Sequence, residues 1–197
     1  MFHVKQENLK TYQDLLHKWQ PKINLVSNNT LPDSWQRHFE DSLQVIELLP
    51  ESAQNIVDIG SGAGFPGLVI AIERPDIHVT LIESDSKKCS FLKAVSRETK
   101  TSVTVLNERI ENITLENAPD VIMARALASL DKLFDYCEKW VMQNPNVVFI
   151  FPKGQNYQSE LAACQRNWEF HMDKKISKID ENSVILTFKD IKRISRK

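Results

Sequence analysis

Ile56-Val57-Asp58-Ile59-Gly60-Ser61-Gly62-Ala63-Gly64-Phe65-Pro66-Gly67 is the stretch on which the fold of this chain turns. The sequence holds five glycines, and four of them lie between Gly60 and Gly67. Glycine serves where the backbone takes a positive φ or where another group comes close to the main chain. Crowding it into one turn sets that turn apart. An apolar, strand-like run, Asn55 to Ile59, leads in, and a helix-like run, Leu68 to Ile72, leads out. Strand, glycine turn and a helix with free N–H groups together form a site for a nucleotide-bearing ligand.

Downstream of the turn, strand and helix patterns alternate. Strands are predicted at 55–59, 78–82, 102–106, 120–124, 146–151, 168–176 and 183–188, and helices at 66–73, 86–99, 128–142 and 157–166. This alternation is the pattern of an α/β, doubly wound, mostly parallel sheet. No helix separates the last two strands, and Asp180-Glu181-Asn182 reads as a turn. One antiparallel edge strand is therefore expected. Upstream, Leu9, Tyr12, Leu16 and Trp19 recur at helical spacing over 2–20, closed by Pro21. A second helix is expected from Pro32-Asp33, with Trp35, Phe39, Leu43, Ile46 and Leu49 on its buried face and Pro50 at its end. Residues 1–50 thus read as an N-terminal helical extension packed on a main domain, 51–197.

A chain of 197 residues, 42% hydrophobic and 26% charged, has the composition of a globular domain with a sizeable core. The formal net charge of −1 means that nucleic-acid binding needs a local basic patch. Two runs qualify: Lys87, Lys88, Lys93 and Arg97 on one helix, and Lys189, Lys192, Arg193, Arg196 and Lys197 at the end. The three cysteines, Cys89, Cys137 and Cys164, are far apart and form no CxxC pair. No disulfide framework, zinc site or other metal is expected. The N-terminus lacks an apolar signal core, and no apolar run is long enough to span a membrane. A cytoplasmic protein with reduced thiols is the expectation.

The turn admits two ligands. Gly62-Ala63-Gly64-Phe65-Pro66-Gly67 matches the dinucleotide pattern GxGxxG. Asp58-Ile59-Gly60-Ser61-Gly62-Ala63-Gly64 matches the acidic-x-GxGxG turn of S-adenosylmethionine-dependent methyltransferases. Two features favour the second. Asp58 precedes the first glycine, where a carboxylate can accept from the amino-acid end of the cofactor or brace the loop. Pro66 removes an N–H that a pyrophosphate would use. Glu83, at the end of the second strand, suits the two hydroxyls of a ribose and serves either ligand. Ile110-Glu111 offers adenine an apolar wall and an acceptor. His38, Asp41 and Ser42 lie within one helical turn and, with no GxSxG elbow, do not read as a hydrolase triad.

The run from Asp58 to Gly67 resembles the signature of the RsmG (GidB) family, bacterial small-subunit ribosomal RNA guanine-N7 methyltransferases. Phe65-Pro66-Gly67 separates it from the general methyltransferase turn. Matches extend along most of the chain: Asn24-Leu25, His38 with Asp41-Ser42-Leu43, Glu83-Ser84 with Lys87-Lys88, Arg125-Ala126, and Lys153-Gly154. The resemblance implies a class I methyltransferase (Rossmann-like) fold with S-adenosyl-L-methionine as cofactor. It implies as substrate a guanine in the 530 loop of 16S ribosomal RNA, position 527, within the small subunit or an assembly intermediate. By motif position it places the cofactor on Gly60, Phe65, Ile110-Glu111 and Arg125, alongside Asp58, Gly62 and Gly64 of the turn and Glu83 at the end of the second strand. Arg125, Lys153 and His38 are the substrate-side candidates, and a monomer is expected. The family's proline-containing basic tail is replaced here by Ile191-Lys192-Arg193-Ile194-Ser195-Arg196-Lys197. Guanine N7 carries an in-plane lone pair at neutral pH, so no general base and no catalytic side chain are expected.

Overall fold

The computed structural model describes residues 2–195. Within them, seven strands form one sheet in the order β3-β2-β1-β4-β5-β7-β6. They are β1 (Asn55–Ile59), β2 (His78–Ile82), β3 (Thr104–Leu106), β4 (Val121–Met123), β5 (Val148–Lys153), β6 (Trp168–Ile176) and β7 (Val184–Arg193). The first five run parallel, with β1 between β2 and β4. The expected antiparallel strand is β7, which pairs with β5 on one side and β6 on the other. The helices are α1 (Phe2–Trp19), α2 (Asp41–Leu43), α3 (Gly67–Glu73), α4 (Ser86–Glu98), α5 (Leu130–Gln143) and α6 (Tyr157–Cys164).

Side chains alternate across a strand, so each central strand feeds two cores. Ile56, Val79, Leu81, Val121, Met123 and Ile150 face one layer, which also holds Leu9, Tyr12 and Leu16 of α1, Leu68 to Ile72 of α3, and Phe91 and Leu92 of α4. Val57, Ile59, Ile82, Ile122, Phe149 and Phe151 face the other, with Phe134, Cys137 and Trp140 of α5. Covering both faces explains why the parallel strands read as near-continuous apolar runs. The one charge in β1, Asp58, is in phase with Ile56 and points to the α3 side, fully buried.

The helix expected from Pro32 to Leu49 is broken. It consists of a π-helical turn, Trp35–Glu40, then α2, then a 3-10 turn, Ile46–Leu48. A π turn admits one extra residue and rotates the chain beyond it. Here His38 and Phe39 are both buried. The terminal basic run is not a free tail: Lys189, Lys192 and Arg193 belong to β7, which outruns the predicted 183–188. Arg193 lies over the Trp168 ring at 4.9 Å and pairs with Asp135 at 2.6 Å and Glu138 at 3.1 Å. Arg196 and Lys197 lie outside the described residues.

Candidate active site

The sheet order reverses between β1 and β4, and ligands of open α/β sheets bind beyond the strand carboxyl ends at such a point. A cleft of about 1130 Å³ opens there, lined by the glycine turn, the ends of β2 and β4, and the segment Asn24–Ser27.

The turn is built by close contact. Gly60, Gly62 and Gly64 all have positive φ, at 63°, 56° and 92°. At Gly64 a Cβ would lie 2.6 Å from Leu68 and 2.7 Å from the Tyr12 hydroxyl. The Tyr12 hydroxyl donates to the carbonyl of Ala63, and its ring stacks on Phe65 at 5.1 Å. A helix about fifty residues upstream therefore fixes the loop. At Gly67 a Cβ would lie 2.7 Å from Asp58 Oδ2. That close approach lets the carboxyl oxygen accept the Gly67 N–H at 3.2 Å. Ser61 Oγ donates to the Asp58 carbonyl at 2.8 Å.

Asp58 thus sits under the turn, holding the start of α3, and does not line the cleft. Its Oδ1 is buried without a hydrogen-bond partner among the described residues. Burial pushes its carboxyl up to about 8, against the pull of the Gly67 N–H and Arg125. Glu83 does line the cleft. Its Oε2 accepts from Gly62 N–H and its Oε1 from Asp85 N–H, both at 2.8 Å. A carboxylate offers about four acceptor sites, so each oxygen retains capacity for a hydroxyl. Beside it a 3-10 turn, Ile110–Asn112, presents Ile110 and Glu111 to the cleft. Lys139 of α5 holds that turn, donating to the carbonyls of Ile110 at 2.6 Å, Ile113 at 2.7 Å and Glu111 at 3.3 Å.

The opposite wall is organised by Arg125, at the end of β4. Its guanidinium lies over the Phe65 ring at 4.9 Å, donates to His38 Nδ1 at 3.1 Å and pairs with Asp41 at 3.6 Å. Accepting from Arg125 at Nδ1 leaves the imidazole proton on Nε2, 2.9 Å from Thr30 Oγ1. Thr30 in turn donates to the Ser27 carbonyl at 2.9 Å. The His38 ring stacks on Phe65 at 5.2 Å. Burial first, then the charges of Arg125 and Arg37, lowers His38 to about 3. It is neutral across the physiological range and has both nitrogens engaged.

Residues 5–185 match the family described as rRNA small subunit methyltransferase G. The chain belongs to that family. A ribosomal RNA small subunit methyltransferase G of Ruegeria sp. strain TM1040 is 42% identical over 192 residues, covering 95% of this chain and 92% of its own. Another, from Paramagnetospirillum magneticum, is 44% identical over 188 residues, covering 95% and 89%. The fold is that of class I methyltransferases. A single-substitution mutant of MtNAS, solved with S-adenosylmethionine, superposes with a TM-score of 0.58 at 15% identity over 94% of this chain and 76% of that one. The N-methyltransferase NodS from Bradyrhizobium japonicum gives 0.55 at 13% identity over 80% and 96%.

In this member of the methyltransferase G family, Gly60, Gly62, Phe65, Glu83, Ile110, Glu111, Arg125, His38 and Lys153 converge on one cleft, whereas Asp58 and Gly64 lie behind it. Lys153 is not a loose loop cation. Its Nζ donates to the Ala128 carbonyl at 2.6 Å and pairs with Glu160 at 2.8 Å. Glu160 also accepts from Leu130 N–H at 3.0 Å, so Lys153 and Glu160 together brace the loop after Arg125. Sequence reading does not single out Thr30, Leu127 or Lys139. Leu127 fills the space over Gly60, where a Cβ would come within 2.5 Å of it. Its signal is the pairing of a glycine lacking a side chain with an apolar residue just past a strand end. Lys139 carries no signal, being one more lysine in an amphipathic helix.

Proposed function

We propose that this chain transfers a methyl group from S-adenosylmethionine to N7 of a guanine in the 530 loop of 16S ribosomal RNA. It acts as a cytoplasmic monomer on the small subunit or its assembly intermediate. The observation that carries the reading is the state of His38. It is the one histidine lining the cleft among the described residues, and it is neutral and committed at both nitrogens. Such a site suits a nucleophile that attacks without losing a proton, and guanine N7 is one.

The residues fit the cofactor. Gly60 and Gly62 bring bare main chain to the cleft, Glu83 has acceptor capacity for two ribose hydroxyls, and Ile110 with Glu111 offers adenine a wall and an acceptor. S-adenosylmethionine, when bound, supplies an electrophilic methyl on a sulfonium. The chain's own work is alignment, which is worth up to about 7–11 kcal/mol in favourable cases. Arg125, held by Asp41, His38 and Phe65, has N–H donors left for guanine O6 or a phosphate. The target base reaches it from a loop or by extrusion.

The test is methylation of small subunits and of deproteinised 16S RNA from cells lacking this protein, with labelled donor. Borohydride and aniline cleavage maps the product. A single strand break in the 530 loop is expected. A methyl on an exocyclic nitrogen or a ribose hydroxyl would overturn the assignment.

A further inference from the structure

A second groove, of about 580 Å³, lies where the end of α1 meets the end of α4. It is lined by Leu15, Trp19 and Ala94, by the cations Lys18, Lys22 and Arg97, and by the acids Asp14 and Glu98. Trp19 is half-buried, with its ring edge-on to Phe91 at 5.7 Å. The same two segments border the cleft: Lys88 of α4 and Asn24 to Ser27 just after α1 line it. From Lys88 to Arg97 is nine residues of helix, an axial rise of about 14 Å at 1.5 Å per residue, and a path between them crosses from one side of α4 to the exposed side that carries Lys93 and Arg97. That rise is the length of roughly four stacked nucleotides at about 3.4 Å each.

The ground between cleft and groove is cationic. Lys87, Lys93, Arg97 and Lys100 are exposed on and after α4, and Lys18 and Lys22, at and just past the end of α1, line the groove with Arg97. Lys93 and Arg97 are four apart and share a helix face. Among the described residues the exposed acids there are Asp14, Asp85 and Glu98. Asp85 is committed to capping α4, accepting from Lys87 N–H at 2.8 Å and Lys88 N–H at 3.2 Å. Glu98 pairs with Arg97 at 3.0 Å, but the two side chains are 48% and 71% exposed, and such a surface pair is worth little. In a chain of net charge −1 this surplus is local.

We infer that this face is an RNA track, resting on the function proposed above. The single strand that flanks the target nucleotide leaves the cleft past Lys88, runs along α4, and seats a base against Trp19 in the groove. A basic rim around an aromatic is how proteins hold single strands without reading sequence. A peptide partner would have no use for the cations along the path to the cleft.

The experiment compares the parent with Lys18→Glu/Lys93→Glu/Arg97→Glu and with Trp19→Leu and Trp19→Phe. Binding of deproteinised 16S RNA is read by fluorescence anisotropy against salt, and methyl transfer is read on both naked RNA and small subunits. The triple variant is expected to raise KM for naked RNA about tenfold or more. It should flatten the log–log salt dependence of binding by about 2, at roughly 0.7 for each phosphate left without its cation. S-adenosylhomocysteine affinity should stay at the parental value. Trp19→Leu should weaken RNA binding about tenfold and Trp19→Phe much less, because stacking survives in the second. The surface charge variant keeps the test valid if Trp19→Leu misfolds. Unchanged KM and salt slope in the triple variant would overturn the track. A loss confined to assembled subunits would also overturn it, by placing a ribosomal protein on this face. RNA binding is read separately from methyl transfer. A parent that transfers no methyl would defeat the function proposed above and leave the track to be judged on binding alone.

Discussion

Asp58 and His38 flank Arg125 and respond to pH with opposite sign. Burial raises Asp58 to about 8, so the folded state favours the neutral acid. The stability this contributes is full below the unfolded value of about 3.9 and is lost as pH rises through about 8, at about 1.4 kcal/mol per pH unit where steepest. Asp58→Asn keeps the shape and has nothing to ionise. Urea unfolding from about pH 5 to 8 should show the variant gaining steadily on the parent. Parallel curves would return Asp58 to an ordinary carboxyl. His38 is lowered to about 3, so its contribution is full above about 6.5 and is lost as pH falls through about 3. It stays neutral wherever the enzyme works. Single-turnover methyl transfer should therefore be level from about pH 6 to 7.5. A limb rising through about 6.5 and abolished by His38→Ala would make His38 a base and end the N7 mechanism.

At the scale of elements, the half of the cleft proposed for the cofactor is two turns held by two side chains. Glu83 ties the end of β2 to Gly62, and Lys139 of α5 gathers the carbonyls of the 3-10 turn. Glu83→Ala should cost about 1.5–3 kcal/mol in S-adenosylhomocysteine binding by calorimetry, with a smaller change in folding stability. Lys139→Met keeps the aliphatic stem and loses the donors. It should weaken the same binding by about tenfold, and undiminished affinity would mean the turn holds its shape unaided. The two turns differ in how far sequence discloses them. The glycine turn is legible because backbone geometry demands glycine there, and Glu83 because a strand end has a fixed relation to that turn. The strands and helices themselves follow from periodicity. The break at Trp35–Glu40 does not, since Trp35, Phe39 and Leu43 are four apart, a spacing that suits an α turn and the wider π turn alike. Nor does the meeting of His38 with Arg125, a contact across 87 positions that only the packed sheet creates.

For the molecule as a whole, the sheet is the frame and its β5-β7-β6 side is the last to be completed. β5 runs Val148-Phe149-Ile150-Phe151, and among the described residues its outer edge is covered by β7 alone. A chain ending at Ser183 would present that apolar edge bare. It is expected to pellet on expression while the full chain stays in the supernatant, and a well-behaved truncated protein would refute this. The same arrangement sets an order in time. β6 is synthesised before β7, yet it joins the sheet through β7. While the chain is being made, β6 waits without a strand neighbour until β7 has been added. Tyr12 waits as well, about fifty residues ahead of the loop whose carbonyl it will bind. A translation product stalled before β7 would therefore be a partial sheet with an open seam beside β5, a substrate for chaperones and proteases.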